Sequence, residues 1–222
     1  MEIREVNIKN IAQYCMNNVF RKDTDKPGFV HLDFGKQIGS NQLRTIMVEL
    51  KTELSKCTIT RFDKRLAYQW LGRFDQQVST PFHLDNAGDQ SFLMLGYEPS
   101  EIQSKLYLAD YHKFSRESEA ALKDDAVRFN PIIKEDESAL KPYISEVSPF
   151  DKDSYKIVLI NNSNSKSNRE TLGVFHMASI IEQDLSKSRV INSMMLNMIA
   201  EGKTNENGSS EEEFKNTDIV SI

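Results

Sequence analysis

A chain of 222 residues fits one domain and is long enough to bury a core without disulfides or a structural metal. Its net charge of −5, with no Lys/Arg cluster and no basic stretch interleaved with aromatics, argues against a nucleic-acid partner. No long apolar run is present, so no membrane span is expected, and the N-terminal MEIREVNIKNIAQYC lacks the apolar segment and cleavage site of a signal peptide. Cys15 and Cys57 have neither metal-ligand spacing nor the density of a disulfide scaffold, so a reduced, cytoplasmic protein is expected.

In chain order, Ile8, Ile11, Ala12 and Cys15 share one face of a short amphipathic helix within 1–22. The charged stretch 22–28, closed by Pro27-Gly28, reads as a turn leading into an alternating, strand-like run at 29–34. Ser40 is placed to cap a helix whose apolar stripe is Leu43, Ile46, Met47, Leu50 and Leu54. From about residue 66 the texture changes to short strand-like runs, at 66–71, 78–84, 91–96, 104–109, 143–148, 155–161, 172–178 and 189–198. The polar stretch 161–168 is suited to closing a hairpin between 155–160 and 172–177, and 114–128 reads as a surface helix among the strands. Residues 201–222, rich in Gly, Asn, Ser and Glu with few apolar anchors, read as a flexible acidic tail. Many short strands behind a helical N-terminal layer predict a mainly β fold with flanking helices, a sandwich or barrel, in one domain over 1–200.

The tripeptide His-Leu-Asp occurs twice, at 31–33 and at 83–85. On a strand, residues i and i+2 point to the same side, so His83 and Asp85 can offer an imidazole and a carboxylate to one ion. A third ligand has to come from another strand, and His176 lies in an apolar run 91 residues after Asp85. Two histidines and one carboxylate on one face suit a non-haem Fe(II) that keeps open positions for other ligands. Arg189 follows His176 by 13 residues, after the turn-like stretch 182–188, and opens the last apolar run.

This order of residues, with the phrase Thr80-Pro81-Phe82-His83-Leu84-Asp85, resembles the Fe(II)/2-oxoglutarate-dependent dioxygenase superfamily over roughly residues 28–200. The resemblance implies a double-stranded β-helix (a jelly-roll, cupin-like core) with N-terminal helices packed on one sheet. It implies iron held by His83, Asp85 and His176, and Arg189 paired with the distal carboxylate of 2-oxoglutarate, for which a planar guanidinium is suited. Thr80 is a lesser candidate for a hydrogen bond to that co-substrate. The implied activity is oxidation, commonly hydroxylation, of a small molecule or a protein side chain.

Each residue also has a plainer reading. His31-Leu32-Asp33 rivals His83-Leu84-Asp85, although it precedes the Ser40 helix where family members usually lack ligands. A lone histidine in an apolar run, as His176 is, is more often a hydrogen-bonded core residue. Arg189 could be a strand-end surface charge, with Lys187 and Arg169 as other anchors for a carboxylate. His112 reads first as an exposed loop residue, and Tyr68, Trp70 and Phe74, beside Arg73, read first as core. Two other functions share the fold: a cupin-like metal dioxygenase that needs no 2-oxoglutarate, and a catalytically silent binding module. The stretch 98–140, long, polar and charged, is expected to form a lid that selects substrate.

Overall fold

A computed structural model of the chain describes residues 1–85, 88–117, 138, 140–164, 171–203 and 210–221. The elements are α1 (Ile8–Asn18), β1 (Phe29–Asp33), α2 (Ser40–Phe62), β2 (Lys64–Asp75), β3 (Ser91–Tyr97), β4 (Ser104–Ala109), α3 (Tyr111–Glu117), β5 (Ile144–Glu146), β6 (Lys156–Asn161), β7 (Phe175–Ile180), β8 (Val190–Ala200) and α4 (Glu211–Asn216). The fold is mainly β: one antiparallel sheet runs β1-β6-β3-β8-β2 and a second runs β5-β4-β7. No described helix is long and apolar enough to cross a membrane.

Period-two alternation sorts the strand residues between two cores. Phe92 and Met94 of β3, Ile157 and Leu159 of β6, and Met194 and Leu196 of β8 face the helices. There they meet the stripe Leu43, Ile46, Met47, Leu50 and Leu54 of α2, all buried. The opposite residues, Leu93, Val158, Ile160, Ile191 and Met195, pack against Leu106 and Leu108 of β4, and these side chains fill the space between the sheets. Gly96 lets α2 cross close to β3: a Cβ there would press on the Met47 sulfur and force that side chain to shift. On the far side of the small sheet, Tyr111 and Phe114 of α3 pack on Phe82 and Phe175.

Several expectations are corrected. Ser40 is the first residue of α2 and Gly39 its cap; the Ser40 hydroxyl instead donates to Glu98 (2.7 Å) and accepts from Arg44. The runs 155–160 and 172–177 do not form a hairpin, since β6 lies in the five-stranded sheet and β7 in the small one. Part of the expected lid is structural, because β4 is the central strand of the small sheet; residues 118–137 and 139 of that stretch lie outside the described residues, as does most of the helix expected at 114–128. The expected flexible tail contains α4, whose Phe214 is buried and whose cap is the Ser210 hydroxyl, accepting the Glu213 amide. Arg44 and Arg73 donate to the carbonyls of Lys215 and Thr217, and Ser221 exchanges backbone hydrogen bonds with Arg73 and Asp75 at the edge of β2.

Candidate metal centre

The segment leading to His83 was expected as a strand at 78–84. It runs along β7, but Pro81 has no amide to give, so regular pairing fails. Side chains complete the ladder: the hydroxyls of Ser79 and Thr80 accept the amides of Ile180 and Ala178. Thr80 donates its amide to Ala178, and His83 and His176 exchange both backbone hydrogen bonds, at 3.0 and 3.1 Å. That exchange makes the two histidines a directly opposed pair, so their side chains leave the sheet on one face, with ring centroids 4.2 Å apart.

Asp85, two residues on, is turned to the same place. The Asn162 side chain accepts its amide (3.0 Å) and donates to its carbonyl (2.8 Å), fixing the backbone of Asp85 from behind. One Asp85 oxygen lies 2.9 Å from His83 Nε2 and the other 3.4 Å from His176 Nε2. One donor atom from each of the three residues lies within 4.8 Å of the others, the one such constellation among the described residues. His31 and Asp33 take no part: Asp33 accepts the Gly35 amide on the edge strand β1, and the His31 ring packs beside Phe150.

The protonation states follow from the surroundings. Burial pushes the Asp85 carboxyl up, but hydrogen bonds and charge from His176 and His83 outweigh it and hold Asp85 well below the usual carboxylate range. Burial also pushes His83 down, but the Asp85 carboxylate and the Pro81 carbonyl overcome it, and His83 is raised above 6.5. His176 is lowered by its burial, which Asp85 offsets only in part. His83 Nδ1 lies 2.8 Å from the Pro81 carbonyl, an acceptor that assigns the proton to Nδ1 and leaves Nε2 free for a metal. Buried His176 Nδ1 has no hydrogen-bond partner, so its tautomer is set from the Asp85 side alone. Two nitrogens and one carboxylate oxygen suit a divalent first-row metal, and three protein ligands leave positions open, as in catalytic rather than structural sites.

The three residues stand in the wall of a cavity of about 620 Å³, facing Trp70, Leu95, Leu106 and Ile191. A bulge at Gln69 explains why Tyr68 and Trp70, two apart, do not share a face: Tyr68 joins the helix-side core and bonds Glu211, whereas Trp70 enters the cavity. Gly72 leaves room for the Phe74 ring to lie back along β2 into the same cavity. The mouth carries Val78 and Leu185, 64% and 87% exposed. Gln77 ties the two sides of the mouth together, donating to the Lys187 carbonyl (2.7 Å) and accepting the Asp184 amide (3.0 Å).

Thr80 lines the cavity with its oxygen already accepting from Ala178. Arg189 is buried, not a surface charge, and it lines an adjoining cavity that meets the first at Tyr97. Its Nε donates to Ser104 (3.0 Å) and its Nη1 to the Gln76 carbonyl (2.9 Å), while Nη2 is buried without a partner. Lys187 lies at the metal cavity, paired with Glu101 at 2.7 Å, and Arg169 lies outside the described residues. His112 sits on α3, away from the metal cavity's lining. Asn162 is the residue of the candidate site that sequence reading missed, because nothing in a polar run marks which amide will back onto a candidate ligand. Comparison with protein-family models and with curated proteins finds no match.

Proposed function

We propose that the chain is a non-haem Fe(II)/2-oxoglutarate-dependent oxygenase acting on a small molecule or a protein side chain. The observation that carries this reading is the convergence of His83, Asp85 and His176 in the wall of a cavity large enough for an organic ligand. The strand order supports a double-stranded β-helix: β2, β3, β6 and β8 fall in one sheet, and the 79–83 segment, β4, β5 and β7 in the other, so the chain repeatedly crosses between them. Iron bound there with a 2-oxo acid would supply the oxidation of an unactivated C–H bond. The chain's own residues do the rest. Pro81 and Asn162 orient the ligands, Trp70, Leu95 and Ile191 keep water from the wall, and Arg189 offers an unused donor to a carboxylate.

One observation favours a second reading, a cupin-like metal dioxygenase without 2-oxoglutarate: Arg189 lines the adjoining cavity and not the metal-bearing one. Anaerobic titration with Fe(II) and 2-oxoglutarate, followed by the metal-to-ligand absorption band of the chelate, decides between them. The band is expected in the wild type, absent in His83→Ala and His176→Ala, and weaker in Arg189→Ala. Iron binding with no band, and full turnover in Arg189→Ala, would favour the second reading; no iron binding by folded protein would favour a silent binding module.

A further inference from the structure

The metal cavity carries little charge for its size. Among the described residues lining its 620 Å³, only Asp75 and Lys187 are charged besides the candidate ligands, and both are already engaged. Asp75 accepts the Arg189 amide at 2.9 Å, and Lys187 pairs with Glu101 at 2.7 Å and with Asp184 at 3.4 Å. The adjoining cavity, about 360 Å³, is lined by seven charged side chains. Two spaces that meet at Tyr97 therefore suit different chemistry. An ionic group brought into the first would lose its water and find no free partner away from the metal.

The floor of the metal cavity is built from β2 and β8. Their register sets Trp70, Gly72 and Phe74 opposite Met195, Ser193 and Ile191, so the smallest pair in the row, Gly72 and Ser193, lies between two aromatic residues. Both rings turn toward that gap. Trp70 Nε1 donates to Ser193 Oγ at 3.1 Å, and the tip of the Phe74 ring comes within 2.7 Å of where a Gly72 Cβ would stand. The indole N–H is thereby engaged, and the two rings present apolar surface. Val78 and Leu185 carry that surface out to the mouth, where exposed apolar side chains of this size mark a place that a ligand covers. The backbone there favours a small molecule over an extended peptide, which needs a free strand edge. Ser221 bonds Arg73 and Asp75 on β2, and the 79–83 segment bonds β7, so both edges are taken.

We propose that the metal cavity selects an uncharged, largely apolar small molecule, seated on the Trp70–Phe74 floor and covered at the mouth by Val78 and Leu185. That this molecule is a substrate rests on the oxygenase reading, whereas its binding needs no metal. Selection comes from what the wall withholds: the apolar body gains contact with both rings, and a charged head finds nothing to replace its water.

Trp70 is the sole tryptophan of the chain, so intrinsic tryptophan fluorescence reports on this floor. The test titrates the full-length, EDTA-treated protein with three molecules of one shape that differ in head group: 1-adamantanol, 1-adamantanecarboxylate and 1-adamantylammonium. The alcohol is expected to bind saturably with a change in emission, and each ion about tenfold or more weakly than the alcohol. Leu185→Ser, at an exposed position that the core does not use, should weaken the alcohol about threefold or more. Gly72→Ala, which pushes the Phe74 ring off the floor, should also weaken it. No saturable change with the alcohol, or an ion that binds as tightly, overturns the proposal even if the Fe(II)/2-oxoglutarate band forms. Binding untouched by both Leu185→Ser and Gly72→Ala places the ligand elsewhere and overturns it too. A capped peptide, N-acetyl-Ala-Leu-Ala-amide, that binds more tightly than the alcohol overturns the choice of a small molecule. Binding selective for the alcohol and weakened by both variants, in a protein that forms no such band, supports the proposed selectivity and defeats only the oxygenase reading.

Discussion

His83 is the one candidate ligand that has to lose a proton before a metal can bind. Asp85 is held ionised and His176 is held neutral, so neither has to give up a net proton. Because His83 is raised above 6.5, protons compete with the metal at neutral pH and below. Apparent affinity for Co(II), used as an air-stable probe, should therefore fall as pH drops, by about tenfold per pH unit once His83 is protonated. Titration in buffers of different ionisation enthalpy should show about one proton released per ion at pH 6; no release would mean that the Asp85 partnership does not hold the His83 proton. The sign for stability is opposite. A raised folded pKa stabilises the metal-free protein below the unfolded value of about 6.5, and that contribution is lost as pH rises through the folded value. The ion pair and the metal thus hold the same residues together on opposite sides of one titration.

At the level of elements, Arg21 does most to join separate parts of the chain. It follows α1, and its fully buried guanidinium donates to Lys26, Leu172 and Gly173 carbonyls and to both oxygens of Asp110. One side chain therefore ties the N-terminal helix to the turn before β1, to the approach to β7 and to the start of α3. Arg21→Met should cost about 3–5 kcal/mol in urea unfolding, since it strands Asp110 and three carbonyls; a loss under 1 kcal/mol would show that water replaces it. None of this was legible in the sequence, where Arg21 is one cation in a charged stretch. What could be read depended on range. The α2 stripe, strands β3, β4 and β6, and the candidate ligands His83 and Asp85 follow from local period and spacing. The 78–84 segment, the Gln69 bulge and the pinning of Asp85 by Asn162 depend on partners about 75 or more residues away, and no local pattern encodes them.

For the whole molecule, a bound metal would join the 83–85 segment to β7 across 91 residues of chain. Binding to the folded state alone stabilises by about 2.7 kcal/mol at a free metal concentration one hundred times Kd, or a rise in Tm of roughly 5–10 °C for a domain of this size. Differential scanning calorimetry should show that rise in the wild type, its loss with a chelator, and no rise in His83→Ala. An equal rise in the variant would place the stabilising ion elsewhere.

The position of β2 has a further consequence, for synthesis. This strand forms one wall of the metal cavity, yet its sheet neighbours are β8 on one side and Ser221 on the other, both made long after it. The ribosome must add 146 residues between Asp75 and Ser221, which at about 5–20 residues per second takes roughly 7–30 s. Until β8 is made, which is most of that interval, β2 has α2 to cover one face but no strand on either edge, and an unpaired edge bearing Trp70 and Phe74 is a surface that aggregates. A strand left so long without a partner during synthesis is therefore one that walls the candidate metal cavity.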